Sequence, residues 1–269
     1  MSPNTFIFMA LPSEAKGLIT HLKLKRWQGS RVYSIFVNDH YCVTVTGIGK
    51  AAMAAAMGYT FATFSQTVNP LIVNVGIAGH GQYALGTVLA AKKIIDLDSR
   101  RCFYPQLVYA VPVATEIVAS VSTPDTAYRQ NYVYEMEAAA FYETALRFSS
   151  AELIQVVKVI SDNKDSSVEQ VTPQWVAALM IPALGSILAV IDELSALRVQ
   201  LPEGEPLDYQ RVLAQWKFTV SQQSQLKKLL WRFQVLSEKP LPEAFESGSS
   251  LLGWLEQEVD QLAVNTTLL

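Results

Sequence analysis

The feature that most constrains this sequence is an apolar run that ends on a carboxylate. Residues 156–160 read Val-Val-Lys-Val-Ile, and this β-branched run fits a buried strand. It ends at Asp162, where the chain would leave the sheet. Some way earlier, residues 134–143 read as a short strand that turns into a helix of small residues, with Glu137 at the turn. Ligands of open α/β sheets bind at the carboxyl ends of strands, so we predict that Glu137 and Asp162 face one crevice.

Strand-like and helix-like patterns alternate along most of the chain, which predicts an α/β domain. The helical patterns occupy 13–21, 51–64, 137–148 and 173–197. The strand-like runs occupy 5–11, 31–37, 40–46, 71–75, 86–95, 116–122, 132–134 and 153–161. Between the fifth and sixth of these strand-like runs, residues 96–115 are irregular, rich in aromatic residues and without room for a good helix.

Composition excludes several classes of protein. The 269 residues are 50% hydrophobic and carry a net charge of −3, so a large core is possible and no basic field calls for nucleic acid. Cys42 and Cys102 follow no metal or redox spacing, and we expect no metal site. The N-terminus lacks the basic region of a signal peptide. Every uncharged apolar run that approaches about 18 residues is interrupted by Pro or Gly. We therefore predict a cytoplasmic protein without a membrane-spanning helix.

The composition changes near residue 200. Residues 201–206 read as a linker, followed by an amphipathic helical pattern over 208–237, a break over 238–250 and a last helix over 251–262. We predict one domain over 1–198 and a helical extension over 199–269. The extension is interpreted as helices packed on the domain or on a partner subunit, or as a docking module for another protein. Its mixture of Lys and Trp is too weakly charged to favour nucleic acid.

Glycines follow two predicted strands. Residues 46–50 read Thr-Gly-Ile-Gly-Lys, and residues 76–81 read Gly-Ile-Ala-Gly-His-Gly. Such glycines let backbone N–H groups approach a ligand closely, although neither segment has the spacing of a Walker loop or a dinucleotide fingerprint. Glu14 follows the first strand at a helix start, and by itself it also fits a surface residue near a helix dipole. His80 fits a structural hydrogen-bonding residue better than a catalyst.

Five segments occur in a fixed order within residues 5–163: MALPSEAKGL, TGIGKAAMAAA, NVGIAGHG, YEMEAAAF and VVKVISDN. In this order they resemble the nucleoside phosphorylase/uridine phosphorylase superfamily, and most nearly its 5'-methylthioadenosine/S-adenosylhomocysteine nucleosidases. The resemblance implies a three-layer αβα fold with a central mixed sheet. Residues from about 200 to 269 lie outside it.

The resemblance implies hydrolysis of the N-glycosidic bond of a purine ribonucleoside, without a cofactor. Asp162 would be the general acid at the purine, Glu14 would orient or activate the attacking water, and Glu137 would bind ribose hydroxyls. A general acid neutralises the leaving base as the bond stretches, and anionic groups stabilise the positive charge that develops on the sugar. Further implied contacts are Met136 beneath the sugar, Ala78 and Gly79 along the sugar, and Ser161 at Asp162.

The nucleophile is inferred from two loops. Phosphorylases of this superfamily carry an arginine in the first loop and a hydroxyl in the second. Here residues 10–14 lack arginine and residues 76–79 lack Ser and Thr, so water is favoured over phosphate. A phosphorylase remains one alternative, and a non-catalytic nucleoside-binding or scaffold protein is another.

The sequence departs from the family between residues 96 and 135. This interval is short and lacks a helix, and with it part of the usual cover over the base. The cover is expected from a partner subunit, from Phe103 and Tyr104, or from Tyr128, which we include among the substrate-binding candidates. Residues 85–87 also stand where a Gly-Asp pair is usual. Because family members are usually oligomers, at least a dimer is expected, and the substrate stays open among methylthioadenosine, adenosylhomocysteine and 5'-deoxyadenosine.

Overall fold

The chain folds into two compact units, Met1–Leu201 and Pro202–Leu269. The computed structural model describes residues 3–64, 67, 69–125, 127–166, 169, 172–201, 204–237 and 239–267, with the backbone alone for 263–267. Residues 202 and 203 of the predicted linker lie outside the described residues.

The first unit contains ten strands and four α-helices in its described part. The strands are β1 (Thr5–Met9), β2 (Lys25–Arg26), β3 (Ser34–Val37), β4 (Tyr41–Val45), β5 (Leu71–Gly79), β6 (Val88–Asp96), β7 (Cys102–Phe103), β8 (Ala114–Ser120), β9 (Val133–Glu135) and β10 (Ile154–Asp162). The helices are α1 (Pro12–His21), α2 (Lys50–Thr63), α3 (Ala138–Ala145) and α4 (Pro173–Gln200), with a short 3₁₀ turn at Ala151–Leu153.

The strands form one mixed sheet that closes on itself at one side. Strands β4, β1, β5 and β10 are parallel neighbours, as expected for strands that are buried on both faces. Beyond them β10 pairs with β6, β6 with β8, β8 with β9, and β9 returns to β5. This ring brings the ends of β5, β9 and β10 to one place.

Helices cover both faces of the sheet, which gives the three layers predicted from the sequence. On one face, α2 and α3 bury side chains such as Met57 and Phe141 against the sheet. On the other face, α1 and α4 bury Leu18, Met180 and Ile187. The fold class predicted from the sequence is confirmed.

Three local predictions were wrong in detail. The segment 76–79, predicted as a loop, continues β5, because β10 pairs with β5 as far as Asp162 and Gly79. Helix α1 begins at Pro12, one residue before the helical pattern predicted over 13–21, since proline suits the first helical position. The pattern over 208–237 forms two helices, because Thr219 and Gln222 make a capping box that starts a new one.

The second unit contains α5 (Tyr209–Gln215), α6 (Val220–Leu236) and α7 (Gly248–Thr267). Its own apolar cluster includes Val212, Leu226, Leu230 and Leu255. These side chains come from all three helices, so the unit has a core of its own.

Helix α4 is long and apolar enough to cross a membrane by length and composition alone. Seven of its side chains are buried and pack within the first unit. One helix of this kind is weak support for a membrane span, and the prediction of a cytoplasmic protein stays a prediction.

Candidate active site

A cavity of about 310 Å³ lies where the strand ends converge. Gly79 at the end of β5 pairs with Asp162 of β10 and with Tyr134 of β9. The cavity is lined by Ala10, Leu11, Glu14, Ile48, Ile77, Ala78, Gly79, Val121, Pro124, Asp125, Tyr134, Glu135, Met136, Glu137, Ser161 and Asp162. Strand pairing therefore assembles one site from segments that are far apart in the sequence.

Glu14 is fixed at the cavity by two backbone groups. The N–H of Leu11 donates to Oε2 at 2.8 Å, and the N–H of Ile77 donates to Oε1 at 2.8 Å. Burial raises the pKa of Glu14, and these hydrogen bonds partly offset the effect. A Cβ at position 76 would stand 2.9 Å from Oε1, so Gly76 leaves the room that this carboxylate occupies. The site thus holds a carboxylate with a fixed orientation.

A buried lysine lies behind the acids. Lys158 Nζ lies 2.9 Å from Glu135 Oε2, and the same oxygen accepts the N–H groups of Glu137 and Ala138 at 3.0 and 2.8 Å. The other oxygen of Glu135 accepts the hydroxyl of Ser120 at 2.5 Å. Glu135 therefore fixes the turn that presents Glu137 to the cavity.

The acids and the lysine are electrostatically linked. Burial raises the pKa of Glu137 to about 7; Lys158 opposes this increase and Glu135 adds to it. Burial by itself would lower the pKa of Lys158, but Glu135, Glu137 and then Glu14 together hold it above its ordinary value. Glu137 also accepts the N–H of Gly49 at 2.7 Å. Near neutral pH the carboxyl group of Glu137 can therefore both hold and release a proton.

Asp162 is held by two hydroxyl groups. Ser161 Oγ lies 2.5 Å from Oδ1, and Tyr128 Oη donates to Oδ2 at 2.5 Å. Burial, together with Asp162, holds the pKa of Tyr128 well above its usual range, so the phenol keeps its proton. A Cβ at position 79 would stand 2.4 Å from Oδ2 of Asp162. Glycine has no Cβ, so Gly79 avoids this clash.

Comparison with solved structures identifies the fold. A crystal structure of an MTA/SAH nucleosidase matches with a TM-score of 0.57 at 16% identity, over 72% of this chain and 97% of that chain. Futalosine hydrolase of Helicobacter pylori matches with a TM-score of 0.57 at 12% identity, over 71% of this chain and 99% of that chain. The 5'-methylthioadenosine nucleosidase of Arabidopsis thaliana matches with a TM-score of 0.56 at 15% identity, over 72% of this chain and 96% of that chain. No protein-family model and no curated protein matches the sequence.

The chain has the nucleoside phosphorylase fold. At these identities the likeness concerns the fold, and the chemistry of the site is argued from its own residues. Among the described residues, no group of three or more His, Cys, Asp or Glu side chains is arranged to hold a metal ion.

Within this nucleoside phosphorylase fold, seven of the eight predicted site residues line the cavity. They are Glu14, Ala78, Gly79, Met136, Glu137, Ser161 and Asp162. Tyr128, the eighth, is not among the described lining residues and contacts Asp162 instead. Phe103 packs on Tyr142 at 5.9 Å, and Tyr104 is exposed.

Sequence reasoning missed three members of the site, Lys158, Glu135 and Asp125. Lys158 is the one charged residue inside the β-branched run, and this interruption was a usable sign, because a buried charge requires a partner. Glu135 stands two residues before Glu137, on the same strand end. Asp125 belongs to an irregular loop, for which the sequence offered no pattern.

His80 lies beside the site with a structural role. Its Nδ1 accepts the N–H groups of Gln82 and Tyr83, both at 3.1 Å, and its backbone N–H donates to the carbonyl of Asp162 at 3.0 Å. Burial lowers the pKa of His80, so the ring is neutral at pH 7. Its contacts shape the turn that follows β5.

Proposed function

We propose that this protein hydrolyses the N-glycosidic bond of a purine ribonucleoside, with a 5'-modified adenosine as its substrate. Methylthioadenosine, adenosylhomocysteine and 5'-deoxyadenosine are the candidates. The observation that carries the proposal is that Glu14, Glu137 and Asp162, from three separate elements, line one cavity. The nucleoside hydrolases among proteins of the same fold support it further.

The three acids divide the chemistry between the two ends of the breaking bond. Asp162 gives a proton to N7 of the base as the bond between C1' and N9 breaks, which neutralises the leaving group. A water held by Glu14 bonds through its oxygen to C1' and passes a proton to that carboxylate. Glu137 accepts hydrogen bonds from the ribose hydroxyls. The products are the free base and the free sugar.

Water rather than phosphate is the nucleophile because the cavity is acidic. Five carboxyl side chains line it, and its described lining contains no Arg, Lys or His. The adjacent cation, Lys158, is already paired with Glu135. The described lining offers phosphate no cation, and each carboxylate that is ionised would repel it, whereas a neutral water is not repelled.

The residues that line the cavity also favour some substrates over others. Leu11, Ile48 and Met136 supply apolar surface that suits an uncharged 5'-substituent such as a methylthio group. The acids disfavour a 5'-substituent with a net negative charge, as in futalosine, whereas the carboxylate of adenosylhomocysteine is balanced by its own ammonium group. Adenine, with its exocyclic amino group, fits a base pocket that contains Asp125 and Asp162 as hydrogen-bond acceptors.

We also propose a cytoplasmic homodimer or larger homo-oligomer. Ile48 at the cavity and Tyr104 and Val108 in the segment between β7 and β8 are more than half exposed, and exposed apolar side chains of this size favour an interface. Light scattering at working concentration tests this, and a monomer at all concentrations would refute it. A role of the extension over 199–269 in docking another protein stays a prediction.

The test is release of free base from a panel of nucleosides, with and without phosphate, followed by chromatography. We expect base release without phosphate from at least one 5'-modified adenosine. Asp162→Asn should lower this rate by about 100-fold or more while binding of the nucleoside persists, because general-acid catalysis is typically worth ~10²–10⁴. Asp165→Asn makes the same chemical change at an exposed position and should leave the rate unchanged.

Each other result assigns a different function. Release only in the presence of phosphate would make the protein a phosphorylase. Binding without release from any nucleoside would make it a non-catalytic binding or scaffold protein. An undiminished rate in Asp162→Asn would refute the mechanism.

A further inference from the structure

The side chain of Tyr128 lies against two glycines, Gly79 and Gly81, whose lack of a Cβ leaves room for it. Its side chain is buried, and its φ of +44° is one that non-glycine residues adopt only uncommonly. A Cβ on Gly79 would stand 2.9 Å from the Tyr128 hydroxyl, and a Cβ on Gly81 would stand 3.1 Å from the Tyr128 Cβ. The ring also packs edge-on against Tyr134, with centroids 6.0 Å apart. Two glycines and a rare backbone conformation therefore seat a single side chain.

The hydroxyl of this side chain binds the proposed general acid. Tyr128 Oη donates to Asp162 Oδ2 at 2.5 Å. The second donor to Asp162, Ser161 Oγ, also lies 3.3 Å from the carbonyl oxygen of Ala78, so its single proton has two acceptors. Among the described hydrogen bonds, the Tyr128 hydroxyl has Asp162 as its one acceptor.

We propose that Tyr128 is a positioning residue that assists Asp162 in protonating the leaving base. This inference rests on the proposed nucleoside hydrolysis. When Asp162 gives its proton to N7, the carboxyl group changes from neutral to anionic inside a buried site. A hydroxyl donor binds an anionic oxygen about twice as strongly as a neutral one, so the hydrogen bond from Tyr128 strengthens as the base departs. An interaction that strengthens toward the transition state accelerates the reaction.

The alternative role is a plug that blocks the base site. Asp162 belongs to the wall of the cavity, whereas Tyr128 is not among the described lining residues. The phenol therefore reaches Asp162 from the side of Gly79 and Gly81 and leaves the carboxyl group open toward the substrate. A supporting role fits this placement, and a plug does not.

The test compares two leaving groups in Tyr128→Phe, which removes the hydroxyl and keeps the ring on Tyr134. With a purine nucleoside, we expect kcat to fall by ~10- to 100-fold, the range of one hydrogen bond to a charged group, with KM changed less than about 2-fold. With a nitrophenyl riboside, whose leaving group departs without a proton, we expect no fall. Tyr132→Phe changes a neighbour that also packs on Tyr134, at 6.2 Å, and should leave both rates unchanged.

A second variant replaces Tyr128 by 3-fluorotyrosine, a stronger donor that keeps the ring and the hydroxyl. At a pH where its phenol is neutral, the purine rate should equal or exceed that of the parent protein. A purely structural role predicts equal losses for both leaving groups in Tyr128→Phe, which would overturn the inference. An unchanged purine rate would also overturn it, and a faster one would identify a plug. If the parent protein releases no base from any nucleoside, the proposed function itself fails and the inference fails with it.

Discussion

Lys158 and Glu135 form an ion pair in which Nζ and Oε2 lie 2.9 Å apart and each side chain is 1% exposed. The pair joins β10 to the residue before the turn into α3, whose N–H groups bind the same carboxylate. Position 76 lies close by, where a Cβ would stand 3.5 Å from Nζ. One cation therefore balances a group of acids that the strand ends bring together.

Replacing this cation should cost more stability than any surface ion pair. In Lys158→Met, Glu135 is left buried without its partner, and removal of one member of a buried pair typically costs about 3–5 kcal/mol. We expect a loss of that order in the free energy of unfolding, measured by urea denaturation. Arg101→Met breaks the exposed pair with Glu143, 2.7 Å apart, and should cost less than about 1 kcal/mol. Equal losses in the two variants would contradict the structure of the site.

Gly79 is required by the contents of the site rather than by its own backbone. In Gly79→Ala the new Cβ would stand 2.4 Å from Asp162 Oδ2 and would displace the carboxyl group. A displacement of about 1 Å can cost ~10²-fold in rate, so base release should fall by about that factor. Gly58→Ala adds the same methyl group within α2, where nothing lies within 4 Å, and should preserve the rate. A Gly79→Ala protein with full activity would show that Asp162 does not act from this position.

The parts of the site that could be predicted from the sequence are those with a local cause. Asp162 and Glu137 follow recognisable strand and helix patterns, so their positions at strand ends were predictable. The contact between Tyr128 and Asp162 depends on an irregular loop that reaches a strand end 34 positions away, and no local pattern encodes it. The closure of β5, β10, β6, β8 and β9 into a ring could not be predicted for the same reason, since the periodicity of a strand does not identify the strands with which it pairs.

A substitution in the core of the second unit should lower the stability of that unit without changing base release. Leu230 is 1% exposed within its apolar cluster, and truncation of a buried leucine typically costs about 2–5 kcal/mol. Leu230→Ala should therefore lower the stability of this unit, measured by thermal unfolding, and should leave base release unchanged, because every described residue of the cavity belongs to Met1–Leu201. Val235→Ala, at a side chain 76% exposed, should change neither property. Loss of base release in Leu230→Ala at a temperature where the first unit is folded would show that the extension serves the site.

The pH dependence of stability should show the burial of Glu137. Its pKa is about 7 in the folded protein, against an ordinary value of 4.5. As the pH rises from 4.5, the unfolded chain loses this proton while the folded protein keeps it until about pH 7. The folded state then binds more protons than the unfolded state, so the free energy of unfolding that this group contributes falls with rising pH in that window.

Glu137→Gln removes this titration, so the comparison with the parent protein isolates it. We expect the parent's free energy of unfolding, minus that of the variant, to fall by on the order of 2 kcal/mol between pH 4.5 and 7, and to be constant above pH 7.5. Urea denaturation of both proteins across this range measures the difference. Glu143→Gln makes the same chemical change at an exposed carboxylate and is the matched control. A flat difference for Glu137→Gln would mean that Glu137 is ionised throughout, and that Lys158 outweighs the burial that raises its pKa.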